Sequence, residues 1–82
     1  MNARGIAIEV SPDDLNDLAV VTIGGESYNY CKYLDVQGAG DIRYIDPRGQ
    51  TLTVAVSTGV HPIQARRIYL TGTTAAGILA IY

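Results

Sequence analysis

The hydrophobic positions of this chain fall into short alternating runs punctuated by glycine, proline and aspartate. Leu52, Val54 and Val56 alternate with Thr51, Thr53 and Ala55, a period of two that predicts a strand with one buried face. Residues 33–36 and 42–45 have similar character, so the stretch 31–56 predicts three strands and the two turns between them. Asp46-Pro47-Arg48-Gly49 suits a type I turn followed by a left-handed glycine. Gly38-Ala39-Gly40-Asp41 supplies two residues free to adopt positive φ, which predicts a second tight connection. The rest of the chain is expected to cover this meander.

Upstream, Ile6, Ile8 and Val10 alternate with Gly5, Ala7 and Glu9, predicting a first strand over residues 5–10. Ser11-Pro12-Asp13-Asp14 then reads as a helix start, with Ser11 as cap, Pro12 at the first helical position and the acidic pair where the helix dipole favours negative charge. Because residues 19–23 are already β-like, the helix is limited to a short turn near residues 12–18. Gly24-Gly25 is a strong breaker. Ile23, Tyr28 and Tyr30 either flank a two-residue glycine turn there or belong to an exposed excursion that contacts a neighbour.

Downstream, Pro62 withholds a hydrogen-bond donor and marks an edge or a crossing between sheets. Residues 64–70 predict a further strand, on which Arg66 and Arg67 point to opposite faces. Residues 77–82 form an unbroken apolar run, which predicts a terminal strand buried on both faces or covered by another subunit. The pattern as a whole predicts an all-β domain over residues 1–82, an antiparallel β-sandwich or jelly-roll-like arrangement of about seven strands.

Composition narrows the function. With 82 residues, one cysteine and one histidine, the chain has neither an intrachain disulfide nor a cysteine/histidine zinc cage to reinforce a small core, which leaves oligomerisation. A formal charge of −2 without a basic stripe argues against nucleic acid. No apolar run reaches a membrane-spanning length, and Glu9 interrupts the opening segment, so neither a membrane span nor a signal peptide is expected. Hydrophobic residues reach 48%, and all six aromatics are tyrosine, a side chain suited to surfaces that a partner covers.

Candidate chemistry is sparse. Asp13, Asp14 and Asp17 form an acidic cluster, but helix capping accounts for the first two and the spacing lacks the oxygen-ligand alternation of a calcium loop, so no metal is expected. His61 is the only candidate general base and no nucleophile stands in an activating context, so no enzyme activity and no cofactor are expected. A sugar-binding module, with Tyr28, Tyr30 or Tyr33 stacking on a glycan, is the alternative from another functional class.

The order of several motifs resembles a family of small phage and gene-transfer-agent head proteins, the spike base proteins. The resemblance rests on Ser11-Pro12-Asp13-Asp14 with Asp17-Leu18, Tyr33-Leu34-Asp35-Val36 leading into Gly38-Ala39-Gly40-Asp41, and Pro62-Ile63 with Arg67. It continues through Thr71-Gly72-Thr73-Thr74-Ala75 and Ile78-Leu79-Ala80-Ile81-Tyr82, while residues 19–30 depart from the family pattern as an insertion. The resemblance implies a virion structural protein, made in the host cytoplasm. It would assemble on the capsid surface as a ring-like homo-oligomer against the major capsid protein, as a head spike base or decoration protein that anchors a spike or fibre. A capsid cement protein or a head–tail or tail component is the near alternative. Tyr28, Tyr30, Arg66, Arg67 and Tyr82 are the expected interface residues.

Overall fold

The computed structural model describes residues 6–82. Its strands are β1 (Ala7–Glu9), β2 (Val21–Ile23), β3 (Glu26–Tyr28), β4 (Tyr33–Gly38), β5 (Gly40–Ile45), β6 (Thr51–Val56), β7 (Gly59–His61), β8 (Arg67–Ile68) and β9 (Ala76–Ile81). All pairings are antiparallel. A four-stranded sheet runs β1-β9-β4-β7, a three-stranded sheet runs β6-β5-β8, and β2 and β3 form a separate hairpin. Leu34, Val36, Ile78 and Ala80 from the first sheet meet Ile42, Val56 and Ile68 from the second in one buried cluster. The fold is therefore the expected all-β, sandwich-like one. Among the described residues it has nine strands where about seven are predicted, because short pieces at 26–28 and 59–61 each pair separately.

Local turn chemistry is realised as predicted at Asp46–Gly49, and the structure decides the arrangement left open at Gly24-Gly25. In the Asp46–Gly49 turn, Gly49 has φ 92° and its N–H donates to Asp46 O at 3.0 Å, while Asp46 N donates to Gln50 O at 2.9 Å. The Asp46 carboxylate accepts from the amides of Arg48 and Gln50, both at 2.9 Å, and those donors, Gln50 foremost, hold its pKa below the usual range. Gly24 and Gly25, at φ 60° and 83°, make a two-residue turn with Ile23 opposite Glu26 and Val21 opposite Tyr28. Of the two arrangements open for residues 23–30, the chain adopts the hairpin.

The strand pairing differs from the expected meander. β4 and β5 are separated by Ala39 alone, yet they belong to different sheets. Neither Gly38 nor Gly40 has positive φ. Gly40 is needed for a close approach instead: a Cβ there would lie 2.6 Å from Ala75 N and 2.7 Å from Thr74 Oγ1. Thr74 N and Ala75 N both donate to Asp41 O, at 2.8 and 3.1 Å, so the small-residue loop is laid directly along the start of β5.

Three further expectations are corrected. No helix forms near residues 12–18. Asp13 Oδ1 does accept from Leu15 N and Asn16 N, as a cap would, but Asp13 N and Leu18 N donate sideways to Ile68 O and Arg66 O at 2.9 and 2.8 Å. Leu18 N, which a helix would direct to Asp14 O, is thereby tied to the three-stranded sheet instead. The predicted buried face of β6 is buried only at Val56, with Leu52 and Val54 exposed at 41% and 36%, because β6 is an edge strand that overhangs the core. The strand over residues 64–70 contracts to Arg67–Ile68.

The terminal run behaves differently again. β9 lies inside its sheet between β1 and β4, with Ile78 and Ala80 buried and Leu79 and Ile81 half-buried. Tyr82 beyond it is 0% exposed. The shelter this segment requires is supplied by its own chain. β7, followed by Pro62, is the other edge of the four-stranded sheet and the point from which the chain crosses to β8, as the proline predicts. The predicted first strand appears as β1, and Gly5 lies outside the described residues.

Candidate functional site

A polar constellation is built on a strap formed by residues 11–20, which runs from β1 along the outer edge of β8. Asp14 accepts from Thr71 N at 2.9 Å and from the Thr71 hydroxyl at 2.7 Å. Asp17 accepts from Arg67 Nε at 2.8 Å and faces Arg66 Nε at 3.5 Å. Arg66 and Arg67 thus converge on one carboxylate, contrary to the opposite-face expectation, because the backbone is irregular at Arg66 and strict alternation begins only at Arg67. The Arg66 Nε atom is buried without a well-directed hydrogen bond, so its contact with Asp17 is one of charge. Two guanidinium groups lie over the Tyr69 ring, that of Arg43 4.3 Å and that of Arg67 5.8 Å from its centroid.

Tyr82 joins the same strap from beneath, donating its hydroxyl to Ala19 O at 2.7 Å. Of the five residues expected at an interface, the structure therefore brings Arg66, Arg67 and Tyr82 together as the attachments of one segment. Tyr28 sits elsewhere, half-buried on β3 against the core, with its hydroxyl donating to Glu26 Oε2 at 2.9 Å. Tyr30 is half-buried just after β3. The sequence carries no local signal that Asp14 pairs with Thr71 or Asp17 with Arg67, because the partners stand 57 and 50 positions apart.

Hydrogen-bond donors depress two strap carboxyls: chiefly the Asn16 side chain and Leu15 amide at Asp13, and the Thr71 hydroxyl and amide at Asp14. A folded-state pKa below the unfolded value of about 3.9 contributes stability in full above that value, and the contribution is lost as pH falls through the depressed values. Acid titration followed by circular dichroism should therefore show stability declining below about pH 4, with a shallower decline in Asp14→Asn.

The remaining candidate groups are tied down. His61 Nε2 lies 2.7 Å from Ser57 O, and Cys31 is wholly buried with its thiol directed at Ile63 O at 3.5 Å. A cleft of about 150 Å³ between β1 and the strap is lined by Val10, Leu18, Ile68 and Tyr82 together with Asp13 and Asp17. His61 lines neither this cleft nor the groove of about 360 Å³ beside Tyr44, Pro47, Leu52 and Ile63. Exposed apolar side chains are instead spread over Leu15, Val20, Leu52, Val54, Val60 and Leu70. Glu9 and Ser11 also line the cleft beside the strap, while neither His61 nor Cys31 lines either hollow.

No protein-family model matches the chain, and no curated protein sequence matches it. Among solved structures, it superposes with a TM-score of 0.77 on a chain from the capsid of a native gene transfer agent particle, computed with C5 symmetry. The two are 29% identical in sequence over an alignment that covers 99% of this chain and 84% of that one. Over nearly its whole length, then, this chain is similar in fold and sequence to a component of a gene transfer agent capsid.

Proposed function

We propose that this chain is a non-enzymatic structural protein of a phage-like particle, seated on the outer surface of the capsid as a head spike base or decoration protein. In that position it holds a spike or fibre, contacts the major capsid protein and works as a homo-oligomer, with residues 1–82 as one domain. The observation that carries the reading is the likeness to a gene transfer agent capsid chain, which spans 99% of this protein and so extends to its edges and loops as well as its core. The distribution of exposed apolar residues over several strands and the strap agrees with a protein that meets more than one neighbour.

Co-sedimentation tests this reading. Purified chain mixed with particles assembled without it should pellet with them to a fixed stoichiometry, and the bound amount should saturate. A folded chain that stays in the supernatant at every concentration rules out the capsid-surface role.

A further inference from the structure

The four outer edges of the two sheets are not equally protected. β1 is a three-residue edge carrying Glu9, and β7 is a three-residue edge closed by Pro62. The strap covers β8 through Asp13 N and Leu18 N. The fourth edge, β6, runs for six residues, and the stretch from Gly49 to Val60 contains no charged residue and no proline. Long, flat, uncharged edges are what soluble proteins ordinarily avoid, since their free backbone groups pair with other strands.

The register shows which groups are free. Asp46 N donates to Gln50 O, so by antiparallel alternation the bonded pairs along the hairpin are Tyr44–Leu52, Ile42–Val54 and Gly40–Val56. The intervening residues of β5 agree, because Ile45 O and Arg43 O point the other way and accept from Arg66 N and Tyr69 N at 2.7 and 2.8 Å. The N–H and C=O groups of Thr51, Thr53 and Ala55 therefore face outward, with no strand beyond them among the described residues.

We propose that this free edge of β6 is the docking site for a second copy of the chain, which adds its own β6 antiparallel in a register centred on Thr53. That register pairs Thr51 with the partner's Ala55 and Thr53 with the partner's Thr53, satisfying all the outward groups in about six backbone hydrogen bonds. It keeps like faces together, setting Leu52 beside the partner's Val54 and Val54 beside the partner's Leu52, so their half-exposed side chains cover one another. With no charge on the strand, a copy meets no like charge, and a charged partner would find nothing to pair with. The contact goes beyond the capsid reading and does not rest on it: self-association in solution and particle binding are separate measurements.

Sedimentation velocity of the full chain tests the proposal. A single strand addition is a small interface, so a doubled mass should emerge at concentrations on the order of tens to hundreds of micromolar. Thr53→Pro removes an outward donor without touching the β5–β6 ladder and should leave a monomer with unchanged circular dichroism. If that variant misfolds, Val54→Lys supplies the same readout by placing a charge beside the seam. Leu15→Lys, at an apolar residue 82% exposed on the strap, should leave the dimer intact. Thr53→Cys should join two copies through position 53 on mild oxidation, since opposed bonded residues lie about 5.5 Å apart, within disulfide reach. A wild-type monomer at several hundred micromolar overturns the proposal, as does a dimer that survives both Thr53→Pro and Val54→Lys, or one lost with Leu15→Lys alone.

Discussion

Truncating Tyr82 to alanine should cost about 3–5 kcal/mol, out of a total stability on the order of 4–12 kcal/mol for a domain of this size. Tyr82 is the largest side chain fully buried in the core, and it anchors the strap through the Ala19 carbonyl. Its loss opens a cavity below the strap and releases one end of that segment. Tyr82→Phe isolates the hydroxyl and should cost about 1 kcal/mol, the usual net contribution of one hydrogen bond. Urea titration of the three proteins measures both steps. Burial, and secondarily Cys31, also raises the Tyr82 pKa above 10. Its contribution is therefore complete below the unfolded value of about 10 and is lost as pH rises through the raised one, a loss Tyr82→Phe should lessen. Equal stability of the wild type and Tyr82→Ala would show that the terminus is not sheltered in the way described.

The second large effect belongs to Gly40. A methyl group at that position meets backbone, with Ala75 N at 2.6 Å and Thr74 C at 2.8 Å, and backbone cannot swing aside as a long side chain can. Gly40→Ala should therefore cost about 1–3 kcal/mol, the range for overpacking, and Gly40→Val should cost more. At Gly38 the nearest neighbour of an added Cβ is the Ala76 side chain at 3.3 Å, so Gly38→Ala should be much milder. Urea midpoints that rank the two glycines in the opposite order would contradict the sheet-switching role assigned to residues 38–41.

What could be read from the sequence was local. The Asp46–Gly49 turn, the glycine pair at 24–25 and the role of Pro62 each depend on the φ preferences or donors of adjacent residues. The fold class followed from the period-two runs. Which strands pair was less accessible, because Gly38-Ala39-Gly40 looks the same whether the chain doubles back or passes to another sheet. That choice is made by the Thr73–Ala75 loop, more than 30 residues away. The helix signals at 11–14 mislead: the side chain that accepts from following amides is Asp13 rather than the expected cap Ser11, while Asp13's own amide and that of Leu18 donate to Ile68 O and Arg66 O.

The residues expected at an interface show the same limit. Arg66 and Arg67 were legible as neighbours on opposite faces of a strand, and Asp17 as an acid that capping does not account for, but their pairing was not, since 50 positions separate Arg67 from Asp17. Tyr82 was legible as a residue needing shelter, though whether its own chain or a neighbour supplies it depends on where β9 inserts. Leu52 and Val54 carried the alternation of a buried face, and that pattern is the same whether a core or a second copy does the burying.

Cryo-electron microscopy of particles made with and without the gene for this chain is the most direct measurement of the role described. Shells made without it should keep the same lattice and size but lack a discrete density on the outer surface, and the fold of residues 6–82 should fit that density in the complete particle. Identical maps from the two preparations, with the chain undetectable by mass spectrometry in the purified particles, would contradict the account.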